Sequence, residues 1–193
     1  MNGLVYFIAF NQDAGPSFAR GREVYQTDGT LTGTNQSTSI FSLGGSYPRE
    51  IINHNGVLFI SAHNGSHGYE LWKSDGLGMF NGGTTTWVKD INPYFGINED
   101  RGSNPSHFTS VNQLLFFSAT DGTNGYELWR SDGTSDGTVM VKNINPGAGD
   151  SNPANLLNIN GVLYFTADNG TDGIELWKSD GTDAGTVMIK NIS

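Results

Sequence analysis

Glutamate, tryptophan and aspartate recur together at fixed spacing: Glu70, Trp72 and Asp75, then Glu127, Trp129 and Asp132, then Glu175, Trp177 and Asp180. A weaker first copy carries Glu23, Tyr25 and Asp28. Paired carboxylates beside an indole platform are the equipment of sugar hydrolysis. An active site, however, occurs once in a molecule, whereas this set returns in every repeat. It is read more simply as structure, the Trp packing between neighbouring sheets and the Asp holding a turn. No Gly-x-Ser-x-Gly elbow, phosphate loop or His-Glu-x-x-His is present. The arginines, Arg20, Arg22, Arg49, Arg101 and Arg130, are dispersed. The expectation is no catalytic residue and no enzyme.

Chemistry specific to one copy is better sought where the copies differ. The segments 9–21, 62–68, 119–125 and 167–173 align with changing polar residues, His63 against Thr120 and Asp168, and His67 against Asn124 and Asp172. A constant frame with variable polar tips is what a binding rim looks like. His63 and His67 are four apart, a spacing without meaning on a loop, so no transition-metal site is expected there. Asp168 and Asp172, among Asn-rich turns, offer the hard oxygens Ca²⁺ takes. The alternative is Asx turns satisfying their own backbone, and no full EF-hand loop is present. No cofactor is expected, with calcium at Asp168 and Asp172 as the open alternative. Copy two holds two insertions: 13 residues separate Asp75 from Val88 against 9 from Asp132 to Val141, and 15 separate Lys89 from Asn104 against 10 from Lys142 to Asn152. These insertions contain Met79, Phe80, Trp87, Tyr94 and Phe95, an aromatic density unusual for loops, which suits sugar stacking or protein contact if exposed and caps the blade if folded back.

The elements that position these residues follow from the period. The four glutamates stand 47, 57 and 48 residues apart, a spacing typical of four-stranded propeller blades. In the last copy the extended runs are 154–159, 162–167, 174–180 and 186–192. Asn160-Gly161 and Asn55-Gly56 are two-residue hairpin signals, and Asn112-Gln113 in copy three predicts a different turn. Between the third and fourth runs stands Asp-Gly-Thr-x-x-Gly-Thr, whose side chains bond to nearby backbone. In copy one the fourth run reads "STSIFSL" (37–43). Copy one also starts at its hairpin turn, so three first runs serve four copies. The fold predicted is all-β: a β-propeller of four blades of about 48 residues, a closed four-bladed ring or half of an eight-bladed one. The first blade lacks its inner strand. The boundaries are 2–47, 48–104, 105–152 and 153–193 in a single domain.

The recurring "ELWxSDGTxxGT" unit resembles the ELWxxDGT repeat family of large secreted bacterial proteins, and the likeness covers nearly the whole chain. It departs in copy one, where Tyr25 replaces Trp, and in copy two, where the turn is interrupted as "DGLGMFNGGTTTW". The resemblance implies propeller architecture and an extracellular or cell-surface setting, and supplies no catalytic residues.

Composition narrows the partners. A net charge of −9 repels phosphate backbones, excluding nucleic acid and anionic membrane surfaces as natural partners. No cysteine is present for disulfides or thiolate zinc sites. The apolar start "MNGLVYFIAF" lacks a basic n-region and a cleavage site, so no signal peptide is read in this chain, and no run is long enough to insert in a membrane. The expected role is a non-catalytic extracellular module recognising a glycan or a surface protein. The alternative is a structural repeat protein that assembles chain to chain through unpaired strand edges into a fibre, sheath or adhesin.

Overall fold

The computed structural model describes residues 3–11, 21–38, 40, 45–77, 82–94 and 102–192. These residues form fifteen strands and no α-helix. Sheet 1 has three strands, β1 (Val5–Asn11), β2 (Gly21–Thr27) and β3 (Asn35–Gln36). Sheet 2 comprises β4 (Glu50–His54), β5 (Val57–His63), β6 (Tyr69–Ser74) and β7 (Thr85–Lys89). Sheet 3 comprises β8 (Ser106–Val111), β9 (Leu114–Thr120), β10 (Tyr126–Ser131) and β11 (Val139–Lys142). Sheet 4 comprises β12 (Ala154–Ile159), β13 (Val162–Asp168), β14 (Ile174–Ser179) and β15 (Val187–Lys190). Each is an antiparallel meander in chain order. In copy one the pairing that follows β2 starts before the run at 37–43 read from the sequence, of which 39 and 41–43 lie outside the described residues. Asn35 and Gln36 pair with Gln26 and Tyr25, ahead of the Ser37 at which the run was placed.

The hairpins follow their residues. Asn55 and Gly56 take φ of 51° and 86°, and Asn160 and Gly161 take 52° and 84°, the two positive values a type I′ turn requires. In copy three only Asn112 is positive, at 54°, because Gln113 has a Cβ that disfavours the left-handed region. The third and fourth strands slip register between Leu71 and Trp72, Leu128 and Trp129, and Leu176 and Trp177. The bulge recurs beside the Trp in each four-stranded sheet.

Neighbouring sheets pack face to face through three apolar layers. Val24 of sheet 1, with Tyr6 alongside, meets Leu58, Ile60 and Ala62 of sheet 2. Phe59, Leu71, Val88 and Ile91 of sheet 2 meet Phe108, Leu115, Phe117, Ala119 and Trp129 of sheet 3. Phe116, Leu128, Val141 and Ile144 of sheet 3 meet Leu163, Phe165, Ala167 and Trp177 of sheet 4. Strand alternation makes this possible: each second strand sends one set of side chains forward to the next sheet and the other set back. Leu176, Ile189 and Ile192 on the forward face of sheet 4 are exposed, as is Val5 on the backward face of sheet 1, where Phe7, Ala9 and Tyr25 are half-buried. Among the described residues no apolar layer joins these two faces, and the blade-like sheets form an open stack.

Candidate functional site

The repeated carboxylates divide into two kinds. Glu23, Glu70 and Glu127 are buried and tie each sheet to the connector leading to the next. Glu70 accepts from the backbone N–H of Ile91, Asn92 and Ser103 and from Ser103 Oγ, at 2.7–3.3 Å. Glu127 accepts from Ile144 N, Asn145 N and Ser151 Oγ, and Glu23 from Ser46 N and Oγ. The same serines pass the link on: the carbonyls of Ser46, Ser103 and Ser151 accept from His63, Thr120 and Asp168 of the following sheet. Glu175 accepts from Ile192 N. Burial pushes Glu23 and Glu70 up to about 7 and raises Glu127, against the hydrogen bonds that favour the charged form.

The aspartates hold turns. Oδ1 of Asp28, Asp132 and Asp180 accepts from N and Oγ1 of Thr30, Thr134 and Thr182. Those hydrogen bonds lower all three carboxyls. Asp75, across the interrupted turn, accepts instead from Leu77 N through Oδ1 and from Thr84 N and Oγ1 through Oδ2. Trp129 and Trp177 are buried between sheets, Trp72 is half-buried, and Tyr25 stacks on Phe7 at 5.9 Å.

Among the described residues the structure brings His67 and Trp87 together and places Tyr94, Asp168 and Asp172 elsewhere. Trp87 is not in a loop: it sits in β7 opposite Trp72, ring centroids 5.8 Å apart and nearly parallel, because the insertions flank the strand and leave it intact. His67 packs on Trp87 at 4.7 Å, and His63 Nδ1 accepts from Gly65 N. Tyr94 is exposed beside Gly122 of sheet 3. Met79, Phe80 and Phe95 lie outside the described residues. Asp168 and Asp172 stand apart on sheet 4. Asp168 Oδ1 accepts from Gly170 N, and Asp172 takes amide N–H donors from Asn169 and Asn191. The Asp168 Oδ1 contact with a backbone N–H two residues on is an Asx turn, and both oxygens of Asp172 accept from side-chain amides. Among the described residues no three His, Asp or Glu side chains converge as metal ligands.

Geometry draws attention to a different place, where sheet 1 meets sheet 2. A cleft of about 750 Å³ is lined there by Ile8, Phe10, Arg22, Tyr47, Arg49 and Tyr69. Phe10 and Arg22 face each other across β1 and β2. Tyr47 N donates to Arg22 O, and the connector crosses β2 where Gly21 and Gly45 touch so closely that neither position has room for a Cβ. The Arg49 guanidinium lies 3.6 Å from the Tyr69 ring centroid and donates to Asn104 Oδ1. Phe10 and Tyr47 remain 57% and 43% exposed, so both rings offer surface to a ligand.

The same crevice recurs at the next two junctions, at about 310 and 240 Å³. The first is larger because, among the described residues, no strand lies inside β1, whereas β4 and β8 begin in the corresponding space at the later junctions. Its lining is also distinct. Tyr47, Asn104 and Asn152 precede the prolines 48, 105 and 153, all with φ of 44–46°. Asn tolerates that conformation, while Tyr there is strained. The signal was present in the sequence: Tyr47 against two Asn, and Arg49 against Ser106 and Ala154.

No family model matches the chain, and no curated protein matches it either. Among solved structures it is similar to one described as a novel α-L-arabinofuranosidase (CtGH43) from Clostridium thermocellum, at 16% identity and a TM-score of 0.42, over 97% of this chain and 68% of that one. The expectation that the chain is not an enzyme is corrected on this finding, because the solved structure is an enzyme's; the likeness assigns no activity to this chain.

Proposed function

We propose that the chain is a β-propeller module of the ELWxxDGT repeat type, working outside the cell, whose cleft between sheets 1 and 2 binds acidic carbohydrate. The observation that carries this reading is the pairing of exposed aromatic faces, Phe10 and Tyr47, with the guanidinium groups of Arg22 and Arg49. Sugar rings stack on aromatic faces, and guanidinium forks take carboxylate or sulfate oxygens two at a time. In a chain of net charge −9, two arginines on one cleft make a local anion-attracting spot. A strained tyrosine where asparagine serves the other junctions fits a ligand role.

Calorimetric titration with oligogalacturonate, against maltohexaose as a neutral control, tests it. Binding of the acidic oligosaccharide alone is expected. Arg22→Ala should weaken it about tenfold, equivalent to about 1.4 kcal/mol. Tyr47→Asn should weaken it at least as much without loss of thermal stability, since Asn relieves the strained φ. No binding, or binding indifferent to both substitutions, would reject the cleft. Reducing-end release in the same mixtures reads hydrolysis.

A further inference from the structure

The three internal interfaces repeat one pattern, and the two end faces carry its unmatched halves. On forward faces, Leu71 and Leu128 are fully buried and Ile91 and Ile144 nearly so. Leu176 and Ile192 hold the same positions on sheet 4, yet are 41% and 74% exposed, with Ile189 exposed beside them. On backward faces, Leu58, Leu115 and Leu163 are buried, while Val5 at that position in sheet 1 is 61% exposed. Phe7, Ala9 and Tyr25 complete the sheet 1 face, matching Phe117, Ala119 and Trp129.

Polar fasteners repeat as well. Lys73 Nζ donates to Gly133 O at 2.7 Å, Lys89 Nζ to Thr138 O at 2.8 Å and Lys142 Nζ to Asp183 O at 3.1 Å, each reaching the Asp-Gly-Thr turn of the next sheet. Tyr6 Oη likewise donates to Gly76 O at 2.9 Å. Lys178, Lys190 and Tyr164 stand at the equivalent positions of sheet 4, on the forward face where Leu176, Ile189 and Ile192 are exposed. The turn Asp28–Thr34 on sheet 1 is largely exposed, Leu31 almost completely.

We infer that the forward face of sheet 4 packs on the backward face of sheet 1 of a second copy of this chain, reproducing the internal interface between molecules. This goes beyond ligand binding in the cleft and rests on different residues. The second copy is the fitting occupant because the two faces are the missing partners of a pattern the chain already forms three times. In that register Tyr164 and Lys178 reach the Gly29 carbonyl, Lys190 reaches the Leu31–Thr34 carbonyls, and Leu176, Ile189 and Ile192 cover Val5, Phe7 and Tyr25. The contact is heterologous, so repetition gives either a closed ring of two copies or an open polymer.

Light scattering over a concentration series tests it. The wild-type chain should exceed the 20.8 kDa of one copy as concentration rises. Leu176→Asp and Val5→Asp change exposed positions at opposite ends and should each leave a monomer. Ile192→Asp serves for the sheet 4 face should Leu176→Asp prove unstable by thermal melting. Mixing Leu176→Asp with Val5→Asp leaves one intact face on each molecule, and these should pair and stop at two copies. A wild-type monomer throughout, assembly retained by either variant alone, or a mixture that stays monomeric would each overturn the inference.

Discussion

At the residue scale, Glu70 carries two opposing effects that a pH experiment separates. Four hydrogen-bond donors favour its carboxylate, while burial favours the acid, and burial prevails with a value of about 7 against an ordinary 4.5. The folded chain therefore holds a proton between pH 4.5 and 7 that the unfolded chain has released. Stability from this group is greatest below that window and falls as pH rises through it, by about 1.4 kcal/mol for each unit of separation. Glu23 acts in the same direction. The lowered aspartates, Asp28, Asp75, Asp121, Asp132 and Asp180, lose their contributions only as pH falls below their ordinary 3.8, outside this window. Urea unfolding at pH 5 and pH 7.5 should show the wild type more stable at pH 5. Glu70→Gln should reduce the difference by removing one titrating group, while lowering stability at both pH values by about 1–3 kcal/mol, because its amide NH₂ faces donors it cannot satisfy. Greater wild-type stability at pH 7.5, with no change in slope for Glu70→Gln, would mean that the donors win and the carboxylate stays ionised.

At the scale of the element, the Asp-Gly-Thr turn shows how an insertion is accommodated without losing a hairpin. In copy three only Oδ1 of Asp132 is engaged, by Thr134 N and Oγ1, and Thr134 Oγ1 then accepts from Gly137 N. In copy two both oxygens of Asp75 work, Oδ1 on Leu77 and Oδ2 on Thr84. Asparagine keeps one carbonyl oxygen and replaces the other with a donor. Asp132→Asn should therefore cost under about 1 kcal/mol, and Asp75→Asn about 1–3 kcal/mol, because it sets an amide N–H against a backbone N–H. Urea midpoints of the two variants decide it, and equal losses would show that both turns use their aspartate alike. The same turns explain what was legible in the sequence. Asn-Gly and Asp-Gly-Thr mark chain reversals locally, so the runs between them locate strands such as Ser106–Val111 and Ala154–Ile159 without tertiary information. Trp87 was not legible, because insertions on both sides disguise a strand whose identity depends on pairing with Trp72. Tyr47 and Arg49 differ visibly from their counterparts in the sequence, but the cleft itself was not legible, because it joins Phe10, Arg22 and Tyr47 from separated segments.

At the scale of the whole molecule, stability in an array of packed sheets is close to a sum of each sheet's own stability and its contacts with neighbours. Sheets 2 and 3 are covered on both faces, whereas sheets 1 and 4 are each covered on one. Among the described residues sheet 1 also has three strands against four in the others, with β3 two residues long. Local opening should therefore be easiest at the ends and hardest at the centre. Hydrogen exchange of the dilute chain should run fastest in β1–β3 and β14–β15, and slowest in β9 and β10, whose Leu115, Phe116, Phe117 and Leu128 are almost completely buried. The carboxylate–serine links act against such fraying, because Ser103 and Ser151 bind both the preceding glutamate and the following sheet. Glu127→Ala should therefore raise exchange in sheet 4 more than in sheet 2, since the link it breaks lies between sheets 3 and 4. Uniform protection across all four sheets would mean that the ends unfold only with the centre, as in a closed and fully cooperative ring. A steep gradient that flattens with increasing concentration would instead mark an open stack whose end faces are being covered by another copy.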